Sequence, residues 1–390
     1  MPTPHPTKAR AAVSAVFFSN GLIVGCWAIL VPFVIHNLSI AESEMGLIIL
    51  IGGLSAIIAL GMSALLISKF GARAVIVAAS LGLAPGLFGM MQSGTFLTAI
   101  TIFLFIMASL AFQDVAMNAN AADLEHRAKR SIMSSFHGFW SAGAMVGSLS
   151  GGFLVATFGV NTFAITAGFI SLVAALIGYP YLEQKTPAIS DAGPMPKYLP
   201  AQWLPWMFGL IAFVGFVSEG SIIDWSAQFF REELASGVKL SGIAFGGFSF
   251  SMMIARFLGD GLREKIGDQK LFIASVLLAG TGLSSVVIAP DPYWAALGFF
   301  MAGFGNANIV PISFSGAATI KGLPKGMGIA TASFCGYAGL LVAPATLGFI
   351  GEHWGFKLVY GAMALMLIAL IALAPMIGRH SAKRLSEKLD

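Results

Sequence analysis

The chain has 390 residues, of which 57% are apolar and only 10% charged, and its formal net charge at pH 7 is +4. Its mean hydropathy of +0.85 is far above that of a protein with a mixed, charged surface, so the composition excludes an ordinary water-soluble domain. The 22 Lys and Arg residues are dispersed over short segments and not gathered on one face, so we expect no nucleic-acid partner.

Twelve apolar runs follow one another along the chain, and each has about 20 residues or more, which is enough to cross a bilayer. The runs are apolar on all sides and rich in Gly, Ala and Ser, whereas the strands of a membrane β-barrel alternate apolar and polar residues. We therefore expect an all-α, polytopic protein in contact with the lipid bilayer. The runs are Ala11–Ile35, Met45–Ile67, Ala72–Met91, Phe96–Ala119, Ile132–Thr157, Thr162–Leu182, Trp203–Phe230, Leu240–Leu262, Leu271–Ala289, Tyr293–Ile320, Met327–Ile350 and Phe356–Ile377.

The N-terminal segment Met1–Arg10 is short, basic and proline-bearing. The apolar run behind it is too long for the core of a signal peptide, so we interpret it as a first span that is retained. The two cysteines, Cys26 and Cys335, fall inside predicted spans. They have no companions for a disulfide framework or a metal cluster, and we expect no metal site and no cofactor.

The Lys and Arg residues fall mainly on one side of the predicted membrane. With an even number of spans, eighteen of the 22 lie on the side that holds both termini, while Arg231, Lys239 and Lys357 lie on the other and Arg256 lies within a span. Positive loops resist translocation, so this asymmetry predicts that both termini are cytoplasmic. We expect a multi-pass protein of the bacterial inner membrane.

The chain contains an internal repeat. Three short matches share an offset of 196 or 198 residues: Lys69–Gly71 with Lys265–Gly267, Phe136–Phe139 with Phe334–Tyr337, and Trp27 with Trp225. Duplication of this kind is common in transporters, where the solute site lies between the two repeats near the middle of the bilayer.

The repeat and the composition together predict four segments. Residues 1–182 form an N-terminal six-helix bundle, 183–202 a polar cytoplasmic linker, 203–378 a C-terminal six-helix bundle, and 379–390 a cytoplasmic tail.

The loop between spans 2 and 3 resembles a motif of the major facilitator superfamily, Gly-x-x-x-Asp-Arg/Lys-x-Gly-Arg-Lys. Lys69, Gly71 and Arg73 match its basic residues and its turn glycine, but the acidic member is absent. The equivalent stretch of the second half contains an acid, because Glu264 precedes Lys265 and Gly267. The resemblance implies that this conformational latch, which gates the transporter, depends more on the C-terminal half.

Within that superfamily the chain resembles the MosC-like branch. The resemblance is carried by Glu219-Gly220-x-x-x-Asp224-Trp225-Ser226, Asp114-x-x-x-Asn118-x-Asn120 and Phe136-His137-Gly138. It implies two pseudo-symmetric bundles of the major facilitator fold and secondary transport by alternating access. The expected partners are a small polar solute, sugar-like or a related metabolite, and a proton or another coupling ion. We expect the protein to be a monomer and not an enzyme.

Glycines on span 5 repeat at helical spacing, as Gly143-x-x-x-Gly147-x-x-x-Gly151-Gly152, which lets a neighbouring helix approach closely. Drug–proton antiporters resemble this stretch but carry Gly-Pro where this chain has Gly147-Ser148. Proton-coupled efflux of drugs or metabolites is therefore the alternative function.

Glu219 lies near the middle of span 7, where a charged group costs about 3 kcal/mol unless it has a partner or water. We interpret it as a coupling or substrate-binding carboxyl group, and the alternative is a tie between helices. Asp114 on span 4 and His137 on span 5 are expected at similar depth, as a proton relay or as a plain hydrogen bond between helices. In the sugar–proton symporters related to fucose permease, acids on helices 1 and 4 serve coupling. Asp114 fits the second position, but span 1 of this chain has no acid.

Two further sets of polar residues complete the candidates. Asp224, near the periplasmic end of span 7 and followed by a tryptophan, is expected to gate or cap the helix. Arg256 and Asp260 are one helical turn apart, can pair with each other, and are expected to contribute to gating. Neutral polar and aromatic residues suit a hydroxylated solute. They are Asn20, Trp27, Asn118, Trp140, Asn306, Asn308 and Tyr337.

A membrane-embedded enzyme or a scaffold is the competing class. The six histidines include no His-x-x-x-His pair, and no glycine loop with Lys-Ser/Thr is present for a nucleotide. These patterns disfavour catalysis and ATP-driven pumping.

Overall fold

A computed structural model describes residues 6–128, 132–183, 200–324 and 326–380, apart from the side chains of Pro6 and Asp260. The described residues form twelve α-helices and two short 3-10 turns, Tyr179–Tyr181 and Leu370–Leu373. The helices are α1 Pro6–Leu38, α2 Glu42–Phe70, α3 Ala72–Met91, α4 Phe96–Ala128, α5 Met133–Phe158, α6 Val160–Gly178, α7 Leu204–Glu232, α8 Val238–Ser241, α9 Ile243–Val287, α10 Pro292–Ala317, α11 Met327–Trp354 and α12 Phe356–Ala369.

The described residues contain twelve helical segments that are long and apolar enough to cross a membrane, as predicted. Helix α9 supplies two of them, because the chain turns at Gly267, where φ is +78°. We call residues 243–266 the first arm of α9 and residues 268–287 its second arm. Most of the predicted linker and tail, residues 184–199 and 381–390, lie outside the described residues.

Four glycines with positive φ reveal the repeat in the backbone. Gly71 separates α2 from α3 and Gly159 separates α5 from α6, both with φ +85°. At an offset of 196 residues, Gly267 bends α9 with φ +78° and Gly355 separates α11 from α12 with φ +85°. A positive φ strains residues that carry a Cβ atom, which explains why glycine occupies all four positions. The same sharp turn therefore recurs at equivalent places in the two halves. We call α1–α6 the first half and α7–α12 the second half.

Helices α1 and α5 cross in direct backbone contact. A Cβ atom on Gly143 would lie 1.9 Å from the carbonyl oxygen of Phe18, and one on Gly21 would lie 1.9 Å from that of Trp140. The glycine spacing on span 5 therefore serves close helix packing, and the partner is α1.

The two halves meet tightly at one end of the molecule, where α2 begins and α11 ends. A Cβ atom on Gly46 of α2 would lie 2.7 Å from the carbonyl oxygen of Pro344 on α11. At the same end, on the opposite side of the molecule, a Cβ atom on Gly242 would lie 2.1 Å from the carbonyl oxygen of Ser148 on α5. We call the end that carries both contacts the closed end. The opposite end, where α1 and α7 begin and α6 finishes, we call the linker end.

Candidate functional site

A cavity of about 1080 Å³ lies between the two halves. Its walls come from α1 to α5 of the first half and from α7, α9, α10 and α11 of the second. At the linker end it reaches residues such as Met133 and Arg263, whereas the closed end is sealed by the contacts between α2 and α11 and between α5 and α8. Its position between two repeats matches the place where such folds bind a solute.

The structure brings the predicted substrate and coupling residues together in this cavity. Two residues that the sequence assigned to gating, Asp224 and Arg256, line it as well. The predicted residues on its wall are Asn20, Trp27, Asp114, Asn118, His137, Trp140, Glu219, Asn306, Asn308 and Tyr337.

A buried hydrogen-bond network links four helices of the first half. The amide of Asn20 donates to Gln113 Oε1 at 2.8 Å, and the amide of Gln113 donates to Ser80 Oγ at 2.7 Å. The indole of Trp140 donates to Asn20 Oδ1 at 2.8 Å. Buried polar groups whose partners are all present fix side-chain positions, so the network holds the first-half wall in place. Sequence reasoning missed Gln113, although its position beside Asp114 in an apolar run was the available signal.

Asp114 and His137 do not occupy the matched positions that the sequence predicted. Asp114 lies fourteen residues before the end of α4, while His137 lies only four residues after the start of α5. Asp114 Oδ1 accepts from the amide of Asn118 at 3.2 Å, and no hydrogen bond joins Asp114 to His137 among the described residues. The prediction failed because α4 continues to Ala128, well past the apolar run that was taken as its length.

Arg256 on the first arm of α9 reaches across the cavity and joins the two halves. Its Nη1 donates to Ser141 Oγ at 2.6 Å and to the carbonyl oxygen of His137 at 3.5 Å, both on α5. Its Nη2 lies 3.8 Å from Glu219 Oε1 on α7, in its own half, and its guanidinium lies 5.9 Å from the ring centre of Trp140. The sequence prediction paired Arg256 with Asp260, whose side chain lies outside the described part of the chain.

Asp224 forms a second link between the halves, on the closed-end side of the cavity. Its Oδ1 accepts from the indole of Trp27 at 3.3 Å, and the Trp27 ring packs on Phe103 with centroids 4.4 Å apart. Trp225, which follows Asp224, is fully buried and stacks on Phe356. Asp224 is therefore buried between helices, because α7 continues for eight residues beyond it.

The second-half wall carries amides and an aromatic surface. Asn306 donates to the carbonyl oxygen of Gly215 at 3.2 Å, while its own Oδ1 is buried without a described partner. Asn308 Oδ1 would lie 2.9 Å from a Cβ atom on Gly259, one turn along α9 from Arg256. Tyr337 stacks on Phe216 with ring centroids 5.8 Å apart.

The second-half copy of the superfamily motif lies at the linker end. The acid that forms an ion pair there is not the glutamate that matches the motif. Glu264 and Lys265 are exposed, and the acid held in the structure is Asp268, whose two oxygens lie 2.5 and 3.1 Å from Nε and Nη2 of Arg263. Arg263 also donates to Ser315 of α10 at 2.7 Å. Gly267 makes the expected turn.

The equivalent loop of the first half makes aromatic contacts. Lys69 lies 5.2 Å from the ring centre of Phe70, and Arg73 lies 4.7 Å from that of Tyr179 after α6. Gly71 makes the same turn as Gly267.

Polar contacts reinforce the closed end. The amide of Gln228 donates to Glu42 Oε1 at 2.9 Å, and the backbone N–H of Ser43 donates to Glu352 at 3.2 Å. Ser148 Oγ donates to the carbonyl oxygen of Gly242 at 2.8 Å. Each of these hydrogen bonds joins the first half to the second.

Comparison with known proteins gives consistent results. The family model of the Major Facilitator Superfamily matches residues 13–320 and, in a second match, residues 207–388. An uncharacterised MFS-type transporter of Yersinia pestis is 30% identical over 95% of this chain and 96% of its own, and the membrane protein MosC of Rhizobium meliloti is 29% identical over 92% and 86%. A multi-drug resistance efflux pump, PmrA of Streptococcus pneumoniae, is 22% identical over 90% and 91%.

Solved structures share the fold. The crystal structure of the nucleoside transporter NupG superposes with a TM-score of 0.72 at 13% identity, covering 95% of this chain and 98% of its own. A bacterial homologue of the human lysosomal transporter Spinster, in an inward-facing and occupied conformation, has a TM-score of 0.70 at 13% identity, covering 95% and 96%. The family model and the relatives of about 30% identity show that the chain belongs to the major facilitator superfamily and is a secondary transporter of a small-molecule substrate, not an enzyme.

Proposed function

We propose that the protein moves a small polar solute across the bacterial inner membrane together with protons. The observation that carries this proposal is a single cavity between the halves that contains Asp114, Glu219 and Asp224 together with Arg256. Charged groups are costly at membrane depth and are retained mainly where they bind ions or solutes. The indoles of Trp27 and Trp140, whose N–H groups are bonded to Asp224 and Asn20, add flat apolar surfaces, which suit the apolar face of a sugar-like ring.

The proposed orientation places both termini and the linker end in the cytoplasm. It is supported by the eighteen-to-three distribution of basic residues on the two sides. In this orientation the closed end faces the periplasm and the cavity extends toward the cytoplasm. The structure then corresponds to an inward-facing state, and transport requires a second state in which the closed end opens.

Glu219 is the proposed proton-coupling group. Its side chain is 13% exposed, lies against the cavity and has one cationic neighbour, Arg256, among the described residues. Alternating access exposes such a carboxyl group first to one side of the membrane and then to the other, so a proton taken up on one side leaves on the other.

Uptake of candidate solutes into liposomes that contain the purified protein tests this function. Sugars, polyols, amino acids and nucleosides are first screened for stabilisation of the protein against heat, because a solute that binds only the folded state raises the melting temperature. Nucleosides are included because NupG is described as a nucleoside transporter. A stabilising solute should accumulate inside the liposomes when the outside is more acidic than the inside. Without a pH gradient it should only equilibrate. Accumulation that ignores the gradient would contradict proton coupling.

Efflux of amphipathic compounds is a second candidate function. Apolar side chains dominate the α2 and α4 walls of the cavity, including Ile57, Leu60 and Leu110, and PmrA is described as a multi-drug resistance efflux pump. Cells that express the chain should then retain less ethidium than cells that express E219Q. Equal retention in the two strains would favour uptake of a polar solute.

A further inference from the structure

Arg256 places a permanent positive charge inside the cavity. A guanidinium group keeps its proton in proteins, whereas a carboxyl group can lose its charge by taking up a proton. The other described arginine on the cavity wall, Arg263, is neutralised by Asp268 through contacts of 2.5 and 3.1 Å. The charge of Arg256 therefore needs an anion within the cavity.

Glu219 satisfies that need only loosely. It contacts Arg256 through one oxygen at 3.8 Å, in contrast to the two-point contact between Arg263 and Asp268. Among the described acceptors, Nη1 is engaged by Ser141 and by the carbonyl oxygen of His137, while Nε has no partner. The edge formed by Nε and Nη2 is the planar fork that binds a carboxylate through two parallel hydrogen bonds.

We propose that the transported solute carries a carboxylate, which binds Arg256 in place of Glu219. Asn308 on α10 lies against Gly259, which is one helical turn from Arg256 on α9, and it offers an amide to a hydroxyl group of the same solute. The ring of Trp140 lies beside the guanidinium of Arg256 and offers a flat surface to an apolar face of the solute. The solute class is therefore a hydroxy acid or a sugar acid. This inference rests on the proposed function and narrows its solute.

The exchange of anions on Arg256 explains how a proton is coupled. In the empty cavity the charges of Arg256 and Glu219 balance. When the solute carboxylate occupies Arg256, Glu219 loses its cation and takes a proton from the water on the open side. The loaded cavity then holds one guanidinium, one solute carboxylate and one neutral carboxyl group. One proton and one monoanion cross together, and no net charge moves.

Other ionisable groups share the cavity. Asp114 on α4 is bonded to Asn118, Asp224 on α7 is bonded to Trp27, His137 is on α5 and Tyr337 is on α11. If the charges of Asp114 and Asp224 dominated, an amine-bearing solute would bind instead. The experiment therefore compares an acid, a neutral compound and an amine of the same skeleton.

The test measures the melting temperature of the purified full chain with two matched series. They are D-glucuronate, D-glucose and 6-amino-6-deoxy-D-glucose, and D-glycerate, glycerol and 3-amino-1,2-propanediol. At least one acid should raise the melting temperature with a saturable dependence on concentration, and its neutral and amine counterparts should not. R256Q should bind that acid at least about tenfold more weakly, and R256K should fall between R256Q and the wild type.

The controls separate this inference from the proposed function. D260N should bind the acid as the wild type does, and clearly tighter binding by D260N would show that the solute displaces Asp260 and not Glu219, which would overturn the exchange with Glu219. If R256Q does not fold, R256K decides, and an unchanged preference in R256K refutes a two-point contact. A preferred neutral or amine compound overturns the carboxylate assignment and leaves solute transport intact. If no acid stabilises more than its counterparts, the carboxylate assignment is wrong.

Discussion

Glu219 and Arg256 contact each other on the second-half wall of the cavity, so their substitution has the sharpest expected effects. Glu219→Gln copies the neutral carboxyl group and preserves its size. We expect it to abolish accumulation driven by a pH gradient and to spare solute exchange between the two sides. The measurement is counterflow and gradient-driven uptake in the same liposomes. Glu232→Gln, an exposed glutamate on the same helix and outside the cavity, is the matched control and should behave as the wild type. Gradient-driven accumulation by E219Q at the wild-type level would reduce Glu219 to a helix contact.

Double-mutant cycles distinguish residues that act together from residues that only share a wall. Glu219 and Arg256 are in contact, so the effects of E219Q and R256Q on solute affinity should be coupled by about 0.5 to 3 kcal/mol. No described hydrogen bond joins Asp114 to His137, so D114N and H137A should be additive to within about 0.5 kcal/mol. Strong coupling between D114N and H137A, measured by the same binding assay, would restore the proton relay that the sequence suggested.

At the residue scale, the sequence could predict which polar residues line the cavity, but not which partners they contact. A polar side chain at membrane depth faces protein or water because lipid offers it no partner, so Asn20, Asn308 and Glu219 could be assigned to the interior from sequence. The partner of each residue depends on how the helices are rotated and where they cross. The contacts of Arg256 with α5 and α7 could therefore not be predicted, and its pairing with Asp260 stays a prediction, because the side chain of Asp260 lies outside the described residues.

At the element scale, the crossing of α1 and α5 is the contact most sensitive to one added carbon atom. Gly143→Ala would place a Cβ atom 1.9 Å from a backbone oxygen that cannot move independently of α1. We expect it to destabilise the protein by about 1 to 3 kcal/mol or more, seen as a lower melting temperature in detergent. Gly61→Ala on α2 has no heavy atom of another helix within 4 Å of the new Cβ atom and should not lower the melting temperature, because alanine is at least as favourable as glycine inside a helix. Equal melting temperatures for G143A and the wild type would show that the two helices are farther apart.

The elements themselves were largely predictable, because a length of about 20 apolar residues is a physical requirement of the bilayer. The helix ends were less so. The hydrocarbon core limits the apolar run but does not limit the helix, and α4 continues through polar residues to Ala128. An estimate of depth counted from the end of the apolar run placed Asp114 too close to the helix end.

At the scale of the whole molecule, the orientation in the membrane has a direct test. Single cysteines at Ala192 in the linker and at Ala235 between α7 and α8 are introduced after Cys26 and Cys335 have been replaced. In intact cells, an impermeant maleimide should label A235C and should leave A192C unlabelled until the membrane is opened. Equal labelling of both in intact cells would reverse or abolish the proposed topology.

The central claim is that one cavity opens alternately to the two sides of the membrane. Distances between paired spin labels measure this in the purified protein, with His36 and Glu232 reporting on the closed end and His126 and Ala318 on the linker end, all of them exposed. Both distances are measured in the wild type at acidic and at alkaline pH. They should change in opposite directions between the two conditions, so that the closed-end distance increases when the linker-end distance decreases. Distances that change together, or that do not change in any condition including E219Q, would contradict alternating access through this cavity.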